Sequence, residues 1–236
     1  MAGKILRRFF SFALIWILIV FFFVTLLNGA TVVNPRKYTI DPSNLQTGDI
    51  ILLGNQNVVG SEIGTATGSK FYHSGIIKIE NGTAYIIEAS RSDGVVKTSL
   101  GKLSYLYDLF EIKRYPYEEV AARAAEIAEE QIKLNLPFDG SFCGNEVGHY
   151  CSGLIGFSFN RAHQEINRTM EEIFKFEEID YTQPFWRNIH PRPENPHRSI
   201  APADIERHRG LSNIEICLRN KVAQYSNYTT STTLEW

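Results

Sequence analysis

The clearest periodic pattern in the chain lies between Phe71 and Ser90. Gly75-Ile76-Ile77-Lys78-Ile79 and Ala84-Tyr85-Ile86-Ile87 are β-rich runs separated by Glu80-Asn81-Gly82-Thr83. Asn-Gly between two such runs predicts a hairpin with a type I′ turn, because both central positions then need positive φ. The opposed pairs become Ile79 with Ala84, Ile77 with Ile86, Gly75 with Glu88, and His73 with Ser90. Ile50-Ile51-Leu52-Leu53 after Gly48-Asp49 predicts a buried strand, and Leu106 to Arg114 one or two more. From Tyr117 to Asn135 the apolar positions Val120, Ala121, Ala124, Ile127, Ala128 and Ile132 recur with helical period, opposite Glu118, Arg123, Glu126, Glu129 and Glu130. That spacing predicts an amphipathic helix. Cys151 to His163 reads as a second helix with Leu154, Ile155, Phe157 and Phe159 inward. A third is expected near Arg168–Glu178 and a short one near Ala203–His208. Pro184 to Pro202 reads as a long loop, and Ile214–Leu218 as a strand. Strands come early and helices mostly later, which predicts an α+β domain with an antiparallel sheet rather than a doubly wound one.

The N-terminus follows different rules. Phe9 through Leu27 is a run of nineteen residues without a charge, preceded by Lys4, Arg7 and Arg8. A membrane-crossing helix needs ~20 apolar residues, and basic residues stay on the cytoplasmic side. The expectation is one N-terminal transmembrane helix, with the membrane as a partner through residues 9–27 and the C-terminal domain extracytoplasmic. Asn28-Gly29-Ala30 is a poor cleavage site; cleavage there would make the protein secreted or periplasmic. The domain organisation then reads 1–30 anchor or signal segment, 31–44 tether, 45–225 catalytic domain, and 226–236 flexible tail.

Composition narrows the function. The chain has 236 residues, 24 Lys plus Arg against 26 Asp plus Glu, a net charge of −2 and 44% hydrophobic residues. Such a balance gives no general attraction for nucleic acid and is too apolar for a disordered chain. Gly64, Gly68, Ser69 and Lys70 tempt toward a phosphate loop, but their order and spacing do not match one.

A cysteine nucleophile with a separate imidazole and carboxylate is the constellation the residues allow. In the hairpin register His73 and Glu88 are diagonal neighbours on one face, ~7–8 Å apart in backbone and within side-chain reach. A carboxylate there fixes the tautomer of the imidazole and stabilises the imidazolium. Cys151 stands where a polar loop turns into an apolar helix, so the helix dipole and free N–H groups favour its thiolate. Cys143 and Cys217 read as buried small residues, or as a disulfide pair in an oxidising compartment. His149 is a rival base, two residues from the thiol. His163, His190, His197 and His208 show no metal-ligand spacing with Cys or acidic residues, so no metal and no cofactor are assigned.

Together these segments resemble the permuted papain-like amidase family (YaeF/YiiX type), a branch of the NlpC-type cysteine hydrolases. The matching pieces are Gly48-Asp49-Ile50-Ile51, Tyr72-His73-Ser74-Gly75-Ile76, Ile87-Glu88-Ala89, Leu136-Pro137-Phe138-Asp139, Tyr150-Cys151-Ser152 and Ala201-Pro202-Ala203-Asp204-Ile205. They span about residues 45–215. Ordinary papain-like enzymes place Cys before His, whereas His73 here precedes Cys151, as a circular permutation requires. The resemblance implies a permuted papain-like (NlpC-type) α+β fold with Cys151 as nucleophile, His73 as base and Glu88 orienting it. It also implies a membrane-anchored, extracytoplasmic cysteine hydrolase that cleaves an amide, such as a cell-wall peptide, through an acyl-cysteine intermediate. The permuted branch is similar to lecithin:retinol acyltransferases too, so acyl transfer or thioester cleavage on lipid is the alternative, and a non-catalytic binding domain a third. One departure stands out: the family commonly has an acidic residue two after the cysteine, and this chain has Gly153.

Overall fold

The computed structural model describes residues 31–32, 38–56, 62–143, 148–190 and 197–220. The segment read as a transmembrane helix, residues 9–27, and the tail 226–236 lie outside the described residues. Among the described residues no helix is long and apolar enough to cross a membrane.

The main sheet is antiparallel and runs β1 (Thr31–Val32), β7 (Leu109–Arg114), β3 (Ile50–Gly54), β4 (Phe71–Glu80), β5 (Thr83–Ser90), β6 (Gly94–Ser99), with β10 (Ser212–Ile214) also paired to β7. Two small pairs stand apart: β2 (Tyr38–Asp41) with β11 (Cys217–Asn220), and β8 (Glu177–Glu178) with β9 (Arg198–Ser199). The hairpin has the expected register, from Glu80 opposite Thr83 to Ile76 opposite Ile87. Asn81 and Gly82 both have positive φ, at 49° and 75°.

All five residues of β3 are buried, because the strand is central and both of its faces are covered. One face carries Ile51, Leu53, Ile77, Ile86, Phe110 and Ile112 against Leu100 and Leu103 of the helix Leu100–Leu106. With α1 at Glu62–Thr67, that helix is α2. On the other face, Ile50, Leu52, Ile76 and Ile87 are buried where α3 (Glu118–Lys133) and α4 (Cys151–Asn167) pack on each other and on the sheet. Ala121, Ala124, Ala125 and Ala128 make the buried side of α3, and small side chains let the helix approach closely. Glu118 and Glu119 in its first turn and Lys133 in its last complement the helix dipole.

Gly48-Asp49 is a structural device. Gly48 has φ +94°, and a Cβ there would stand 2.3 Å from the Ala121 carbonyl, so only glycine lets α3 sit against the start of β3. Asp49, 1% exposed, accepts two 2.7 Å hydrogen bonds from Arg114 on β7 and one of 2.8 Å from the Gln46 N–H. Turn, sheet and helix are locked together at this point.

Several expectations are corrected. No helix forms near Arg168–Glu178: Arg168 ends α4 in the left-handed region, and the Asn160 side chain then clamps the Phe174 N–H and C=O at 2.8 and 2.7 Å. Leu106 ends α2, capped at its start by Ser99, and the strand begins only at Leu109. The stretch read as a loop opens with α5 (Pro184–Ile189), where Pro184 takes the first helical turn, the place a helix tolerates it. Within the stretch read as a tether, Tyr38–Asp41 pairs with β11. The three cysteines are free, and none of the pairing guessed for Cys143 and Cys217 occurs. Strand pairing fixes Cys217 beside Asn44, whose side-chain amide donates to its sulfur at 3.0 Å, while Cys143 lies next to His190. The two are also half-buried rather than buried. Strand β6, which the sequence reading did not single out, completes the sheet beyond β5.

Candidate active site

Three pieces of chain position Cys151. Pro137 to Asp139 pairs with the segment just before it: Asp139 N–H donates to His149 C=O at 2.9 Å, and His149 N–H to Pro137 C=O at 3.1 Å. This fixes the approach of the backbone, so that α4 begins at Cys151 with Tyr150 as the preceding, extended residue. From the C-terminal side, Ser152 Oγ donates to Ile200 C=O at 2.7 Å, and Tyr150 Oη receives the Ile200 N–H at 2.9 Å and the Ser199 hydroxyl at 3.1 Å. The Ala201–Ile205 segment is held by its own helix, α6 (Pro202–Glu206), with Asp204 accepting from the Ala201 N–H at 2.7 Å.

The sheet presents the partners. His73 lies near the start of β4 and Glu88 near the end of β5, and His73 Nε2 hydrogen-bonds Glu88 Oε2. Because Nε2 faces the carboxylate, Nδ1 is the nitrogen left for Cys151, whose influence is the largest of those that raise the imidazole. Gly75 makes room in this corner: a Cβ there would meet the Ile86 side chain at 2.4 Å. Tyr107, just after α2, stacks on the imidazole with ring centroids 5.7 Å apart and planes at 11°.

The electrostatics follow from this packing. Burial pulls the His73 imidazole down, but its hydrogen bonds to Cys151 and Glu88 outweigh burial and lift it to about 10. Burial raises the Cys151 thiol, and here too the His73 hydrogen bond and charge win, helped by Ser74 and the Ser152 N–H, so the thiol sits below its ordinary value. Ser74 Oγ is buried with no hydrogen-bond partner among the described residues, and its nearness to Cys151 helps to lower the thiol. Glu88 is pushed up by burial and pulled further down by His73, Thr98 and Lys102. These opposed shifts favour a thiolate–imidazolium pair backed by a carboxylate.

Cys151, His73 and Glu88 open into one cleft of about 840 Å³, walled by Tyr72, Tyr107, Phe138, Phe142 and Phe185, with Arg91 and Lys102 at its sides. The rival base is elsewhere. His149 is buried against the Phe157 ring, 3.4 Å from Gln131 Oε1, and does not line this cleft. Burial holds its imidazole below the ordinary histidine value.

A model of the family described as permuted papain-like amidase enzyme, YaeF/YiiX, C92 family matches residues 44–214. The chain belongs to the permuted papain-like amidase family. Membership makes it a cysteine hydrolase of the amidase type. A solved structure titled metalloprotein yiiX from Escherichia coli O157:H7 has a similar fold, with a TM-score of 0.57 and 20% identity over 74% of this chain and 98% of that one. No curated protein gives a match.

The sequence reading of this amidase missed Tyr107 and Ser74. Ser74 is adjacent to His73, and strand alternation puts the two on opposite faces, so a sequence pattern gives no reason to group both with Cys151. Tyr107 follows a helix that was not foreseen. The histidine spacing also hid a second cluster. Cys143, His190 and His197 offer ligand atoms that all lie within 4.8 Å of one another, although the chain separates them widely.

Proposed function

We propose that Cys151 is the nucleophile of this hydrolase, His73 its general base and acid, and Glu88 the group that orients and charges the imidazole. The observation that carries the reading is the thiol at the first turn of α4 meeting an imidazole whose far nitrogen is held by a buried carboxylate. The thiolate adds to the carbonyl carbon of an amide, forming a C–S bond, while the first N–H groups of α4 face the developing oxyanion. As the C–N bond breaks, His73 gives its Nδ1 proton to the departing amine. Water then attacks the thioester; His73 takes its proton, the C–S bond breaks, and acid and thiol are released. The substrate class is an amide, of which a cell-wall peptide is one form.

A second reading, acyl transfer or thioester cleavage on a lipid, draws on the aromatic wall of Phe138, Phe142 and Phe185, which suits an apolar acyl chain. Both readings share the acyl-cysteine. An active-site thiol probe followed by panels of amide, ester and thioester substrates separates them. Turnover of amides with loss on Cys151→Ser supports the amidase; labelling confined to another cysteine overturns the assignment.

We also propose that residues 9–27 anchor the chain in a membrane with the domain extracytoplasmic, on the strength of the apolar run and its basic flank. A C-terminal reporter active only in the cytoplasm, or mature protein starting near Thr31, would overturn this.

A further inference from the structure

The loop after Pro137 turns sharply beside the cleft. Asp139 holds it, accepting from the Ser141 N–H at 2.9 Å and the Cys143 N–H at 3.2 Å, and Phe142 takes positive φ at the apex. Cys143 thereby points away from the cleft that Phe142 lines, toward His190, the residue that ends α5. Its sulfur is 3.5 Å from His190 Nε2. That is the separation two ligands adopt on one tetrahedral ion, about 3.5 Å for bond lengths of ~2.3 Å to sulfur and ~2.0–2.1 Å to nitrogen. The His197 ring lies against that of His190, with centroids 4.3 Å apart and planes at 20°. Tyr181 Oη engages His197 Nδ1 at 2.7 Å and receives its backbone N–H at 3.1 Å. A hydrogen bond on Nδ1 leaves Nε2 as the ligand and fixes the ring, the usual outer arrangement around a metal-bound histidine. The Ser141 carbonyl is 3.3 Å from the sulfur and 2.9 Å from His190 Nε2, so it faces the same point.

We propose that Cys143, His190 and His197 bind a divalent transition-metal ion of the zinc class, outside the catalytic trio. One thiolate and two imidazoles form a donor set that Zn²⁺ takes, with the fourth position left for the Ser141 carbonyl or water. On binding, the Cys143 thiol loses the proton it shares with the Ser141 carbonyl, and His190 moves its remaining proton to Nδ1. The ion joins the Phe142 loop to the end of α5, which carries Phe185; the two rings already touch, with centroids 5.7 Å apart. It therefore staples together two walls of the cleft.

The test uses the full chain, purified without a histidine tag, stripped with chelator and titrated with Zn²⁺ and Co²⁺. The expected result is one ion per chain, proton release on binding, and a Co²⁺ spectrum with tetrahedral bands and a thiolate charge-transfer band. Cys143→Ser removes the charge-transfer band, and His190→Ala or His197→Ala removes stoichiometric binding. Tyr181→Phe keeps the ion but binds it about 10–100-fold more weakly. Cys151→Ser keeps every one of these signals. Should a ligand variant fail to fold, X-ray absorption of the wild-type Zn²⁺ form decides, with one sulfur and two imidazoles in the inner sphere expected. Absence of stoichiometric metal, retention of the charge-transfer band in Cys143→Ser, or its loss in Cys151→Ser would each overturn the proposal.

Discussion

Glu88 and His73 meet from neighbouring antiparallel strands, two positions off the directly opposed register, and the carboxylate takes Nε2 of the imidazole. The hydrogen bond lies in a pocket where both side chains are largely shielded, so the charge pair acts through a low dielectric. Glu88→Gln keeps the shape and removes the charge. The expected outcome is a fall in turnover of about 10²–10⁴-fold with a smaller change in KM. The alkaline limb of the rate profile, set by His73 at about 10, should move down, since the Glu88 contribution to holding the proton is gone. A steady-state pH profile of both proteins measures this; an unmoved alkaline limb would remove Glu88 from its role.

The same coupling governs the thiol. Cys151 lies below its ordinary value because the His73 interaction outweighs burial. Iodoacetamide should therefore label Cys151 at a pH where a free thiol is still protonated. Cys143, which burial pushes up, should lag. His73→Ala leaves burial unopposed by an imidazolium, so Cys151 labelling should shift to higher pH and turnover should be lost. Peptide-resolved labelling rates across pH report both sulfurs at once. Equal rates for Cys143 and Cys151 in folded wild type would refute the activated thiol.

Protonation also links the trio to folding. His73 is raised, so its contribution to stability is complete below the ordinary histidine value of 6.5 and is lost as pH rises through about 10. Glu88 is lowered, so its contribution is present above the ordinary 4.5 and is lost as pH falls through the depressed value. Denaturant midpoints of wild type and the His73→Ala/Glu88→Gln double variant should differ most between those limits and converge outside them. A constant difference from acid to alkali would mean that the pair's charge is not what stabilises.

The hairpin was legible because Asn81-Gly82 specifies its own turn, and the turn then fixes every pair up to Ile76–Ile87; the diagonal placement of His73 and Glu88 follows from it. The α4 start at Cys151 was legible from the switch of polar loop to apolar period. What could not be read depends on contacts distant in sequence. Asn160 clamping Phe174 suppresses a helix that the local pattern favours, and no spacing rule links residues fourteen apart in an irregular segment. Cys143 and His190 are 47 residues apart, so their approach exists only once the Asp139 turn and α5 are in place. His149, two residues before the nucleophile, is turned away because pairing with Pro137 and Asp139 sets the backbone direction there.

Asp49 and Arg114 support the site from a distance. The carboxylate is buried and receives the guanidinium at both oxygens, so removing it strands a charge between β3, β7 and the turn before α3. Asp49→Ala should cost about 3 kcal/mol, the low end for breaking a buried pair because the Arg114 side chain is 24% exposed. Urea denaturation gives the value. Asp49→Asn, which keeps hydrogen-bonding atoms, should cost less, and a loss below ~1 kcal/mol in the Ala variant would show that the pair does little for stability.

Gly153 has a physical account in the ring of Tyr150. A Cβ on Gly153 would fall 2.5 Å from that ring, which is itself fixed by the hydrogen bonds its hydroxyl receives from Ser199 and Ile200. The space a side chain at 153 would need is filled by an aromatic ring from the preceding turn. Gly153→Asp should therefore destabilise by about 1–3 kcal/mol through overpacking against Tyr150. Tyr150→Ala should cost about 3–5 kcal/mol by emptying the same volume. Because the two changes compete for one space, the double variant should lose less than the sum of the singles. A double-mutant cycle by denaturant unfolding measures that coupling. Strict additivity would mean that the ring and the residue-153 side chain do not share the space, and that another constraint keeps glycine beside the nucleophile.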